Sequence, residues 1–113
     1  MTAPPARARL PNRRRAETQE ITMGGAILTA TIGFDEAGKP AEIFLSGAKD
    51  GSGLAAILED ASVVISVALQ HGIPASALAK SIARIPESLD GPAVTPACPI
   101  GAALDLLVSY DNG

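Results

Sequence analysis

The chain has 113 residues and a formal net charge of −3, and 47% of its residues are hydrophobic while only 3% are aromatic. This length predicts one domain with a core of its own, and the scarcity of aromatic side chains argues against a nucleic-acid surface built on base stacking. A single cysteine, Cys98, and a single histidine, His71, exclude a disulfide within one copy, a four-ligand zinc site and a cysteine redox pair.

The N-terminal segment, residues 1–16, combines three prolines with five arginines. Because this composition resists compaction, we expect a flexible basic arm ahead of a single folded domain over residues 17–113. Arg13, Arg14 and Arg15 are candidates for docking an acidic surface or phosphates, since a guanidinium binds such groups bidentately; the alternative is a solvated tail. After position 16 only four basic residues face all twelve acidic ones, which argues against DNA binding by the folded part.

Three strands are predicted after this arm. Residues 17–23 alternate loosely and are followed by Gly24–Gly25, a pair that favours a tight hairpin turn. The strand-like run 26–34 comes next, then a turn over Asp35–Pro40 and a third strand over residues 41–47. Consecutive strands with short connections predict an antiparallel meander.

A long helix is predicted from Leu54 to His71. Its residues Glu59, Ser62, Ser66 and Gln70 recur every three or four positions and form one narrow polar stripe, while most of the remaining positions are aliphatic. We therefore expect the helix to bury most of its circumference, partly against the sheet and partly against another surface.

Two further helices complete the predicted order. Pro74 is suited to begin a second helix that runs to about Arg84, and a loop rich in proline and glycine follows. The last helix spans about Ile100–Tyr110. The sequence thus predicts an α+β fold, in which a three-stranded antiparallel β-meander is followed by a long buried helix, a second shorter helix and a C-terminal helix, packed on one face of the sheet.

The sequence also indicates where in the cell the protein is located. No segment approaches 18 uninterrupted apolar residues, and no apolar stretch follows the N-terminal arginines, so neither a membrane span nor a secretory signal is predicted. A single free cysteine is typical of a reducing environment, so we expect a cytoplasmic location.

The glycine-rich segment 47–53 (GAKDGSG) precedes the long helix. Lys49, Gly51, Ser52 and Gly53 are candidates for binding phosphate through backbone N–H groups at the start of that helix. However, their order fits neither a Walker loop nor a dinucleotide fingerprint. The alternative is a turn whose Ser52 or Asp50 caps the helix.

Cys98 is the candidate redox thiol. It precedes Pro99 at the predicted start of the last helix, where the partial positive charge of a helix N-terminus can activate a thiol. The alternative is a small buried residue that closes a loop. His71, at the end of the long helix, is expected to be structural, because a histidine there suits the C-terminal helix dipole.

Three stretches in this order resemble the TSCPD-domain family: RLPNRRR in the arm, GFDEAGKPAEIFLSGAK across the second and third strands, and ISVALQHGIP at the end of the long helix. This domain is found near the C-terminus of B12-dependent (class II) ribonucleotide reductases and as small stand-alone proteins. The counterpart of the family's Thr-Ser-Cys-Pro-Asp motif is Thr95–Ile100, where the Thr, Cys and Pro are kept and one residue is inserted. Some members carry four cysteines, but Ala26 and Ala48 stand at the expected partner positions here, so no metal site is carried over.

The resemblance implies a non-catalytic accessory or assembly domain associated with ribonucleotide reduction. Its expected partner is a reductase subunit or a second copy of the chain, and adenosylcobalamin is expected only in the full-length enzymes, with no cofactor in this chain. Two alternatives stay open: a small regulatory module that binds a nucleotide or phosphate, and a redox protein that uses Cys98.

Overall fold

The computed structural model describes residues 6–7, 10, 12–23, 26–48, 51–82, 84–86 and 94–111. Its elements are, in chain order, β1 (Ala16–Met23), β2 (Ala26–Phe34), β3 (Pro40–Ser46), α1 (Gly53–Gln70), α2 (Ala75–Ala79), β4 (Arg84–Pro86), β5 (Val94–Pro96) and α3 (Pro99–Asp111).

The first three strands form an antiparallel sheet in the order β1-β2-β3. Ile21 pairs with Leu28, and Ile32 pairs with Ile43. The predicted meander is therefore confirmed, while the predicted Gly24–Gly25 turn lies outside the described residues. The order of sheet and helices confirms the α+β fold.

The turn between β2 and β3 is built by Asp35. Its Oδ1 accepts the backbone N–H groups of Ala37 and Lys39, each at 2.9 Å, and Gly38 adopts a φ of +83° that a side chain would disfavour. The turn is thus held by hydrogen bonds between the Asp35 side chain and the turn's own backbone, and it determines the residue at which β3 begins.

The core lies on one face of the sheet. Side chains alternate along each strand, so Ile32 and Ile43 are fully buried, whereas Ile27 and Phe44 lie on the opposite face and are 60% and 56% exposed. α3 covers the buried face with Leu104 and contacts β1, β3 and α2. One face of the sheet is thus packed and the other is open.

Two expectations for the C-terminal half are wrong. α2 ends at Ala79 instead of continuing to Arg84, and a short ribbon of β4 and β5 stands where a loop was predicted. Prolines usually indicate a loop, but in a two-stranded ribbon each strand has a free edge on which a missing N–H does no harm. Pairing across the ribbon and an ion pair to α3, described below, settle the structure of this segment.

Candidate functional site

The outer edge of β3 is covered by α1. Antiparallel strands turn successive residues alternately toward and away from their neighbour, so β3 presents backbone groups of Ala41, Ile43 and Leu45 away from β2. The Ser66 hydroxyl accepts from Ile43 N at 2.9 Å and donates to Ile43 O at 3.2 Å. Side chains of a helix here take the place of a fourth strand.

Two neighbouring side chains extend this contact. Ser62 Oγ accepts from Leu45 N at 3.0 Å, and Gln70 Nε2 donates to Ala41 O at 3.0 Å. An exposed strand edge invites pairing with other chains, and this row of side chains, spaced by one helical turn, closes it.

Three of the four residues of the polar stripe of α1, Ser62, Ser66 and Gln70, therefore lie on its inner face, while Glu59 is exposed. The buried residues of the helix are Leu58, Ser62, Ile65, Ser66 and Gln70. This differs from the expectation that most of the circumference would be covered, because Ser62, Ser66 and Gln70 bond to the backbone of the sheet and, of the large aliphatic side chains, Leu58 and Ile65 are buried beside them while Ile57, Val63 and Val64 are left exposed. The hydrophobic pattern by itself does not show that a strand edge needs polar partners.

We call Leu54, Ile57, Ala61, Val64 and Ala68 the α1 outer face. Its three large side chains are 45%, 56% and 67% exposed for Leu54, Ile57 and Val64. Contiguous exposed apolar side chains mark interaction sites in soluble proteins, so this face is the candidate functional site.

α1 also has the length and apolar composition of a helix that could cross a membrane, a test that core helices of soluble proteins pass as well. Its Ser62, Ser66 and Gln70 are bonded to β3. The helix is accordingly an integral part of a compact domain.

A cleft lies where the β2–β3 turn, the junction of α1 with α2, and the end of α3 meet. Its volume is about 540 Å³, and its lining includes Asp35, Lys39, Ser76 and Tyr110. The sequence alone does not reveal this cleft, although two of its walls come from the DEAGKP and LQHGIP segments that carry the family resemblance. Their convergence is visible only in the tertiary structure.

Tyr110 joins this cleft to β1. Its hydroxyl donates to Glu17 Oε2 at 2.7 Å and accepts from Gln19 Nε2 at 3.2 Å, while its ring meets that of Phe34 edge to face at 5.4 Å between centroids. Burial, and then the bond to the Glu17 carboxylate, raise the pKa of the Tyr110 hydroxyl. These contacts dock the end of α3 on the sheet.

The predicted phosphate-binding residues lie at the start of α1. Ser52 is the N-cap residue, and its Oγ accepts from Ala55 N at 3.1 Å. Gly51 adopts a φ of +77° just before it, and Gly53 is the first residue of the helix. The structure thus shows the capping bond, Lys49 lies outside the described residues, and phosphate binding stays a prediction.

The three candidate docking arginines precede or adjoin β1. Arg14 Nε lies 2.6 Å from Glu42 Oε1 on the open face of the sheet, and this hydrogen bond raises the pKa of the Arg14 guanidinium. The Arg15 guanidinium lies 4.1 Å from the centroid of the Phe34 ring, and Arg13 is exposed. Docking of an acidic partner by these arginines stays a prediction.

Cys98 is half-buried and lies directly before α3. Its carbonyl oxygen accepts from Ala102 N at 3.3 Å, so Cys98 occupies the N-cap position of that helix. His71 similarly ends α1, with its N–H donating to Val67 O and Ala68 O. Within the described ranges no three metal-ligating side chains come together, and a redox role for Cys98 stays a prediction.

The TSCPD domain family matches residues 3–107. A vitamin B12-dependent ribonucleotide reductase of Agrobacterium fabrum is 37% identical over 68 residues, covering 60% of this chain and 5% of that protein. The reductase of Streptomyces coelicolor is 40% identical over 72 residues, covering 62% and 7%, and that of Rhodopirellula baltica is 33% identical over 70 residues, covering 62% and 7%.

The chain thus spans only a small part of the length of the relatives that it matches; for a reductase of Streptantibioticus cattleyicolor the share of that protein is 12%. No solved structure matches the chain with significance.

Proposed function

Because the chain belongs to the TSCPD domain family, we propose that it is a non-catalytic accessory or assembly domain of ribonucleotide reduction. It acts by association, either with a reductase subunit or with a second copy of itself. The link to ribonucleotide reduction rests on the relatives, in which the matching region accounts for 5–12% of the whole protein.

The observation that carries the proposal is the α1 outer face. A helix whose inner face is fixed to β3 by Ser62, Ser66 and Gln70 holds its aliphatic side chains outward in one defined orientation. Interfaces gain affinity when the contacting side chains are already ordered before binding, so a rigid apolar face suits association.

The residues of the chain also support a role without chemistry of its own. Its single cysteine and single histidine cannot supply a reducing cysteine pair, and radical reduction of a ribose needs reducing equivalents. Cys98 lies directly before α3 and His71 directly after α1, so the two side chains belong to the ends of two different helices.

The B12 cofactor named for the relatives does not fit the described part of this chain. The 540 Å³ cleft has the volume of a site for drug-sized ligands, and a corrinoid with its nucleotide arm is larger. His71, the one histidine, is not part of the cleft lining. No step of the proposed function passes through that cofactor.

The test is a binding and activity measurement with the B12-dependent ribonucleotide reductase of the organism that encodes the chain. We expect the purified chain to co-elute with the reductase, or to change its oligomeric state or turnover, while the chain alone reduces no ribonucleotide. Turnover by the chain alone would contradict a non-catalytic role. A chain that neither binds the reductase nor alters its assembly or turnover would contradict the accessory role.

A further inference from the structure

We propose that two copies of this chain pair through the α1 outer face, with the two α1 helices antiparallel across a twofold axis. The inference rests on the proposed function and specifies its mode of association. Four observations on α1 carry it: spacing, size complementarity, charge and preorganisation.

The first observation is the spacing of the residues on this face, of which Ala61 and Ala68 are half-buried and the other three are exposed. Leu54, Ile57, Ala61, Val64 and Ala68 follow each other at intervals of three, four, three and four residues. Two helices with this repeat pack along a shared line of side chains, at an angle of about 20°. We call these five residues the seam. No residue of this seam is charged.

The second observation is that the seam complements itself in size. An antiparallel pair centred between Ser62 and Val63 sets Ile57 opposite Ala68 of the second copy, and Ala61 opposite Val64 of the second copy. Ile57 and Val64 then each meet an alanine, Leu54 lies opposite His71 at the end of the helix, and the twofold axis repeats each contact. Alternation of large and small residues across an interface lets side chains interdigitate without voids.

The third observation is the position of the charge. Asp60 is exposed and lies beside the seam. A pairing shifted around the helix, through Ile57, Asp60, Val64 and Val67, would bury this carboxylate without a partner, which is unfavourable. In the proposed register the two Asp60 residues are offset by five residues, or about 7.5 Å along the axis, so they do not face each other.

The fourth observation is that α1 needs no rearrangement to pair. Its inner face is fixed by the bonds of Ser62 and Ser66 to β3, and Val64 and Ile57 are already more than half exposed. The helix is 18 residues long, or about 27 Å, which is short for a stable interface of about 800 Å² per partner. We therefore expect a monomer–dimer equilibrium in the micromolar range.

The first experiment measures mass by sedimentation velocity, from low micromolar to submillimolar concentrations of the chain. We expect the wild type to dimerise as concentration rises, and Val64→Glu to raise the dimer dissociation constant at least tenfold, since it places a carboxylate against Ala61 and Asp60 of the second copy. Lys80→Glu, a change at the exposed residue that directly follows α2, is the matched control and should dimerise like the wild type. Circular dichroism checks that both variants are folded.

The second experiment tests direction and register by disulfide cross-linking in a Cys98→Ser background. In the proposed register Ile57→Cys together with Ala68→Cys should form intermolecular disulfides on oxidation. The two positions within one helix are 11 residues, or about 16 Å, apart and cannot bridge. Leu54→Cys should not cross-link, because the two copies of position 54 lie about 25 Å apart.

A wild-type chain that stays monomeric at submillimolar concentration overturns the inference, and so does efficient cross-linking through Leu54→Cys, which a parallel pair would give. These outcomes are separable from the test of the proposed function. A monomer that still binds the reductase refutes the self-pairing alone, whereas a dimer that neither binds nor affects the reductase supports the pairing and refutes the accessory role.

Discussion

The Ser66 hydroxyl lies 2.9 Å from the amide nitrogen of Ile43 and 3.2 Å from the carbonyl oxygen of the same residue. One side chain of α1 therefore satisfies both backbone groups that Ile43 turns away from the sheet. Ser66 and Ile43 are both buried, so no water is at hand to replace these bonds. This relationship anchors α1, and with it the direction in which the α1 outer face points.

Removing the Ser66 hydroxyl should destabilise the domain. In Ser66→Ala the N–H and C=O of Ile43 lose their partners, and leaving a buried polar group unpaired costs about 1–3 kcal/mol. Chemical denaturation should show this loss in the free energy of unfolding. Ser76→Ala, at an exposed position of α2, is the control and should change the free energy by less than about 0.5 kcal/mol. Equal effects of the two substitutions would refute the role given to Ser66.

Two isoleucines on β2 test which face of the sheet is packed. Ile32 is fully buried and Ile27 is 60% exposed. Ile32→Ala should lower the free energy of unfolding by about 2–5 kcal/mol, because it leaves a cavity in the core. Ile27→Ala should stay within about 0.5 kcal/mol of the wild type, as measured by thermal or urea unfolding. A large effect at Ile27 would mean that the open face is covered by something else.

Gly47, just after β3, should not accept a side chain. Its φ is +112°, and a Cβ there would meet Ile27 O at 3.1 Å and Leu28 Cα at 3.2 Å. Gly47→Ala should therefore destabilise the domain by more than about 1 kcal/mol. At Gly53 a Cβ would meet nothing within 4 Å, so Gly53→Ala should be neutral or stabilise by up to about 1 kcal/mol. Thermal unfolding measures the difference: Gly47→Ala should have the lower melting temperature of the two variants, and the reverse order would contradict the geometry.

The ionisation of Tyr110 can be followed directly, since the chain has one tyrosine and no tryptophan. Burial and the bond to Glu17 raise the pKa of its hydroxyl, so the ultraviolet absorbance of tyrosinate should titrate above the ordinary value of about 10. The corresponding stability is fully present below the unfolded pKa and is lost as the pH rises through the raised folded value. Glu17→Ala should lower the midpoint, while Glu20→Ala, exposed on the same strand, should not; a wild-type midpoint at or below 10 would rule out this environment.

Arg84 and Asp105 connect the β4–β5 ribbon to α3. The Arg84 guanidinium donates to both carboxylate oxygens of Asp105, at 2.8 and 2.6 Å, and this bonding lowers the pKa of Asp105. NMR titration of the Asp105 carboxyl should therefore give a midpoint below the ordinary value of about 3.9. A lowered folded pKa means that the contribution to stability is present above the unfolded pKa and is lost as the pH falls through the folded value.

The matched variant is Arg84→Gln, which should bring the Asp105 midpoint back toward its ordinary value. Arg14→Gln removes a different ion pair, to Glu42, and should leave the pKa of Asp105 unchanged. An Asp105 midpoint that does not respond to Arg84 would mean that the pair does not form in solution.

The local sequence pattern was sufficient to predict most of the helices and strands. The strands predicted at residues 26–34 and 41–47 are found at 26–34 and 40–46, and the helix predicted at Leu54–His71 is found at Gly53–Gln70. Alternation of side chains, a proline or glycine at each end and a capping serine all act within a few residues of the chain. The β4–β5 ribbon was missed, because its pairing depends on residues eight to twelve positions apart and on the ion pair to α3.

Within the candidate site, the sequence by itself determined that α1 is a helix with a row of polar side chains and otherwise mostly aliphatic positions. Only the tertiary structure decided which side faces inward. Ser62, Ser66 and Gln70 turn toward the domain because the edge of β3 presents unpaired N–H and C=O groups, and satisfying them outweighs burying Ile57 and Val64. The edge of β3 exists only once the sheet has assembled. The periodicity of α1 therefore does not show that the N–H and C=O groups at this edge need hydrogen-bond partners.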